Sequence, residues 1–108
     1  MRIIQNDLTL KCVKITGPTH HFLGIEFSID KPSSILIENI DNHRSSNMED
    51  HIKTLCFCIA NINHPLSIGN KYFLKRIIFS VNDRPSKMIY TELLNTLFFE
   101  AENIFTIK

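Results

Sequence analysis

Apolar and polar residues alternate along three stretches of the first forty positions. Between Leu8 and Ile15, the residues Leu8, Leu10 and Cys12 alternate with Thr9 and Lys11, the period of two that marks a half-buried strand. Thr16-Gly17-Pro18-Thr19 breaks the run as a turn. From His21 to Ile29 the alternation is cleaner: Leu23, Ile25, Phe27 and Ile29 share one face, and Gly24, Glu26 and Ser28 the other. So short a connection between the two runs predicts an antiparallel hairpin. After a second turn at Asp30-Lys31-Pro32-Ser33, Ser34 to Ile40 reads as a third strand, with Ile35 and Ile37 on one side and Leu36 and Ile40 on the other.

The period then changes. Met48, Ile52, Leu55 and Ile59 recur at helical spacing, predicting a helix from Met48 to about Asn61 that ends before Pro65. Asn47 is placed to cap it, and Glu49 and Asp50 put negative charge at its positive end. Thr54 to Ile62 also has the composition of a strand, and helix is the preferred reading. Lys71 to Val81 alternates again, with Phe73, Ile77, Phe79 and Val81 on one face and Tyr72, Leu74 and Ile78 on the other; Lys75 interrupts the first face and Arg76 the second. A strand apolar on both faces needs cover on both. Past the turn Asn82-Asp83-Arg84-Pro85, Ser86 can cap a second helix whose core stripe is Ile89, Leu93, Leu94, Leu97, Phe98 and Ala101. Ile104 to Ile107 reads as a short final strand. The expectation is one α+β domain spanning 1–108: a mostly antiparallel sheet of four or five strands with two helices packed against it.

Composition adds bounds. A chain of 108 residues with 44% hydrophobic content can build one ordinary core, so disorder is not expected. Twelve Lys and Arg against eleven Asp and Glu exclude a polyelectrolyte role such as a strongly basic nucleic-acid coat. The longest apolar stretch, Leu55 to Ala60, is far below the ~20 residues of a membrane span, and residues 1–7 do not resemble a signal peptide. Three cysteines, Cys12, Cys56 and Cys58, are an odd count with poor spacing for a disulfide, which suggests a reducing cytoplasm and free thiols acting as small hydrophobes. Ile occurs 17 times and Asn 10 times, whereas Ala and Val occur twice each. That bias favours AT-rich codons, as in genes on bacterial mobile elements.

Four constellations bear on chemistry. Glu38 to His51 is the richest in charge, holding Glu38, Asp41, His43, Arg44, Glu49, Asp50 and His51. Carboxylates and imidazoles can ligate divalent metal, but no pair has the spacing of a metal motif, and a solvated loop leading into an acid-capped helix explains them more simply. His51, Cys56, Cys58 and His64 suggest zinc only if the cysteines lie on a strand, since on a helix they diverge by about 200°. The cysteines sit in apolar runs, where a thiol is usually inert, and His20-His21 reads as an exposed turn-edge pair rather than a general base. Lys71, Lys75, Arg76, Arg84 and Lys87, interleaved with Tyr72 and Phe73, form a basic segment that suits single-stranded nucleic acid.

No catalytic residue, metal or cofactor is assigned on these grounds. The leading expectation is a non-enzymatic, protein-binding module of the bacterial cytoplasm, an immunity-type protein that binds and neutralises a secreted toxin domain. Its expected contacts are Glu38, Asp41, His43, Arg44, Glu49 and Asp50, because loops on a rigid scaffold concentrate recognition residues and acids there complement a basic partner. A small nucleic-acid-binding or phage accessory protein using residues 71–87 is the second reading, and a metal- or thiol-dependent enzyme the third. No membrane partner is expected.

Overall fold

The computed structural model describes residues 2–16, 19–40, 48–62, 66–69, 71–80 and 86–106. The elements in chain order are β1 (Arg2–Asn6), β2 (Thr9–Thr16), β3 (Thr19–Ser28), β4 (Leu36–Asn39), α1 (Met48–Asn61), β5 (Ser67–Ile68), β6 (Tyr72–Phe79) and α2 (Lys87–Thr106). The strands form one sheet in the order β1-β2-β3-β6-β4, with the two-residue β5 pairing β6. All pairings are antiparallel except β4 with β6. The α+β architecture, two helices on a mostly antiparallel sheet, is the one the pattern predicted.

The β2–β3 hairpin pairs Thr9 with Glu26 and Thr16 with Thr19, as its short connection requires. β1 was not legible beforehand, because Ile3 and Ile4 are adjacent and give no alternation. It pairs β2 from Arg2↔Val13 to Asn6↔Thr9, and Asp7 turns the chain with φ of 55°, a conformation Asp tolerates better than most residues.

Register explains why β6 has apolar residues in both phases. Glu26 faces Arg76 but Phe27 faces Leu74, so Lys75 is an extra residue, a β-bulge. The bulge reverses the alternation: Leu74 precedes it and Ile77 and Phe79 follow it, all buried in the same core. Strict alternation had placed Leu74 opposite Ile77. On the other face of β6, Ile78 is also buried, at 7% exposed.

Leu10, Cys12, Leu23, Ile25 and Phe27 join those residues on one sheet face, which packs against Leu55 and Cys58 of α1 and Tyr90, Leu93, Leu94, Leu97, Phe98 and Ala101 of α2. Phe27 meets Phe98 and Phe105 edge-on at 6.0 and 5.6 Å between ring centres. Ser86 caps α2, its Oγ accepting from Ile89 N at 3.3 Å. Three expectations need correction. Residues 104–106 continue α2 rather than forming a strand, because the helical period brings Ile104 and Phe105 back onto the core and lays Phe105 against Tyr72. The third strand is shorter than 34–40. Ile29 is not inward-facing but 68% exposed: β3 ends at Ser28, whose Oγ accepts from Asp30 N at 3.1 Å and leads the chain off the sheet. Among the described residues no helix is long and apolar enough to cross a membrane.

Candidate partner-binding surface

Glu49 and Asp50 are exposed in the first turn of α1. The next residue fixes that turn in place. His51 is fully buried, and its Nδ1 shares a 2.6 Å hydrogen bond with the Tyr90 hydroxyl of α2, the proton's position following the imidazole tautomer. The same ring stacks on Phe79 of β6, with centres 5.1 Å apart and planes 20° from parallel. One side chain thus ties the start of α1 to the second helix and to the sheet. A hydrogen bond of this kind, sheltered from water, is costly to break. The two carboxylates are therefore presented by backbone that is held from below.

Glu38 lies on β4, which packs beside α1. It is exposed, but its Oε2 is 3.4 Å from Arg76 Nη1 on the neighbouring strand. Arg76 is also paired with Glu26, Nε to Oε1 at 2.8 Å, an approach off the N–H axis that makes it a charge contact rather than a directed hydrogen bond. Glu38 therefore brings less free charge than Glu49 and Asp50. Asp41, His43 and Arg44 lie outside the described residues. Of the six expected contacts the structure describes three, and it does not bring them together: Glu49 and Asp50 stand on α1, whereas Glu38 is on the sheet face that α1 does not cover.

The remaining constellations resolve differently. On α1, Cys56 is exposed while Cys58 is buried, as positions two apart on a helix must diverge. Cys58 Sγ donates to Lys87 O at 3.5 Å and accepts from Thr91 Oγ1 at 3.4 Å, contacts that bind α1 to α2. Cys12 is buried under the sheet, and burial pushes its thiol pKa up. The inert-thiol reading fits these two but not Cys56. His64 lies outside the described residues, and among those described no three His, Cys, Asp or Glu residues are grouped closely enough to hold a metal ion. His21 is not at an exposed turn edge: it is 4% exposed on the core side of β3.

In the basic segment, Lys75 and Arg76 face Glu26 and Glu38, and the Lys87 ammonium sits 4.0 Å from the centre of the Phe57 ring. Tyr72 packs on Phe105 at 4.9 Å, so its ring is part of the core edge rather than an open platform for bases. Arg84 lies outside the described residues. No family model, curated protein or solved structure matches the chain.

Sequence reasoning missed the anchoring role of His51. A signal was present: His51, Leu55 and Cys58 are spaced four and three apart, which puts the imidazole on the buried stripe. Tyr90 likewise continues the stripe of Leu93, Leu94 and Leu97. Nothing in the chain pairs the two, which are 39 residues apart.

Proposed function

We propose that the chain is a non-enzymatic, protein-binding module, an immunity-type protein that neutralises a basic bacterial toxin domain through the acidic start of α1. The observation that carries this reading is the anchored turn: exposed Glu49 and Asp50 directly precede a buried His51 held by Tyr90 and Phe79. Recognition gains from charges whose supporting backbone needs no ordering on contact. Carboxylates so held steer a Lys- or Arg-rich surface into register and fix its orientation. Asp41, His43 and Arg44 belong to this reading by their place in the sequence just before α1, and Glu38, on the opposite face of the sheet, does not.

The test pairs the chain with the products of the genes beside its own, screened for a domain toxic to the host. Co-expression is expected to rescue growth, and the two chains to co-elute as a stoichiometric complex. Glu49→Lys combined with Asp50→Lys is expected to slow association on the order of 10-fold or more at low salt. No rescue and no complex would overturn the reading. An unchanged association rate in the folded double variant would remove α1 as the contact.

A further inference from the structure

The edge of β6 that faces away from β3 is covered in two pieces. β5 pairs with its start, Ser67 opposite Phe73, and Leu74 N donates to Leu66 O at 3.0 Å. β4 takes over only at Arg76, opposite Leu36. The chain that leads into β4, from Lys31 to Ile35, passes this gap without joining any strand, and Pro32 has no N–H to offer one. A cavity of about 310 Å³ opens there.

The lining of this cavity is divided. Ile35, Leu66, Phe73 and Leu74 give it an apolar floor. Leu74 belongs to the core, and Ile35 and Leu66 pack against it, so the floor is held in place. Lys31, Ser33 and Ser34 also line it, and all three are exposed, which sets them at its mouth. No carboxylate lines the cavity, and Lys31 makes no ion pair among the described residues. A cavity of about 390 Å³ beside the β1–β2 turn differs in character: Asp7 and Glu26 line it with Lys75, and Glu26 already engages Lys75 and Arg76. An apolar floor with a few convergent polar groups, at about 300 Å³ or more, is the usual form of a small-molecule site.

We propose that the gap between β5 and β4 binds a free aliphatic carboxylate of medium chain length. The alkyl chain lies on Ile35, Leu66, Phe73 and Leu74, which removes apolar surface from water on both sides. The carboxylate stays at the mouth, where the Lys31 ammonium pairs with it and the Ser33 and Ser34 hydroxyls donate to it. An alcohol of the same length keeps the first contribution and loses most of the second. An alkylammonium of that length meets Lys31 as a like charge. None of these residues is on α1, so the site is separate from Glu49 and Asp50.

Amide chemical shifts of the isotope-labelled full chain, titrated with octanoate, octanol and octylammonium below their micelle concentrations, test this. Octanoate is expected to give saturable shifts at Ser33, Ser34, Ile35, Leu66 and Phe73, to bind about 3-fold or more tighter than octanol, and to leave octylammonium weakest of the three. From butanoate to octanoate the affinity should rise by up to about 4-fold per methylene, and it should level off once the chain outgrows the cavity. Lys31→Met should weaken octanoate binding about 3- to 10-fold and leave octanol binding unchanged. Lys31 is exposed, so the variant should keep the parent's circular dichroism. If it fails to fold, the preference of the parent chain for octanoate over octanol and octylammonium still decides. No saturable shift at the lining residues, octylammonium bound as tightly as octanoate, or octanoate binding unchanged in folded Lys31→Met would each overturn the proposal.

Discussion

At position 51 an imidazole that could have served a metal instead closes a buried hydrogen bond with Tyr90. Tyr90→Phe keeps the ring and removes that bond, so chemical denaturation should show a loss of about 1–3 kcal/mol. An unchanged midpoint would mean that the start of α1 is held by its apolar contacts alone. The thiols divide by exposure. Cys56 should react at once with a disulfide reagent in the native protein, Cys12 and Cys58 only after unfolding, and the denatured chain should titrate three free thiols. Cys12 also bears on pH. Burial raises its pKa above the ordinary 9.0, so the folded state holds the proton more tightly than the unfolded one. Its contribution is intact below about pH 9 and is lost as pH rises from there through the folded-state value. The stability of a Cys12→Ala variant should therefore fall less steeply above pH 9 than that of the parent.

For the elements, the bulge at Lys75 and the stripe of α2 carry the most weight. Lys75 is exposed, so Lys75→Ala should shift stability by no more than ~0.5 kcal/mol. Deleting Lys75 is a different event. It would slip one half of β6 by a residue and turn either Leu74 or Ile77 and Phe79 away from the core. Loss of the cooperative thermal transition in the deletion alone is the expected outcome. In α2, Leu93→Ala and Leu97→Ala each leave a cavity in a fully buried layer and should lower stability by about 2–5 kcal/mol. The helical period along 89–101 exposed this stripe in the sequence. The period gave no sign of the bulge, since an inserted residue looks the same as a polar interruption until the partner strand sets the register.

Across the whole molecule, β4 and β6 run parallel because α1 lies between them in the chain and carries it back across the sheet. That crossover packs α1 on the face where Ile37 and Ile77 meet the core, and leaves Glu38, paired to Ile78, on the opposite face from the turn that carries Glu49 and Asp50. Reversing the two α1 acids removes favourable charge from the positive helix end and should reduce stability by about 0.3–1 kcal/mol per site, leaving the fold intact by circular dichroism. A larger loss would mean that these acids serve the helix rather than a partner.

Periodicity by itself determined the hairpin of β2 and β3, the extent of α1, the cap and core stripe of α2, and the α+β class. These follow from local repeats of two and 3.6 residues, which a chain displays whatever it packs against. Strand order, the parallel pairing of β4, the bulge at Lys75, the edge strand β1 and the burial of His21 and His51 were decided only by the tertiary structure. Each depends on which distant segment supplies the neighbour, as Tyr90 does for His51 and Arg76 for Glu38. A residue's own neighbours in sequence do not carry that information, because a hydrogen bond or an ion pair forms between positions that folding alone brings within reach.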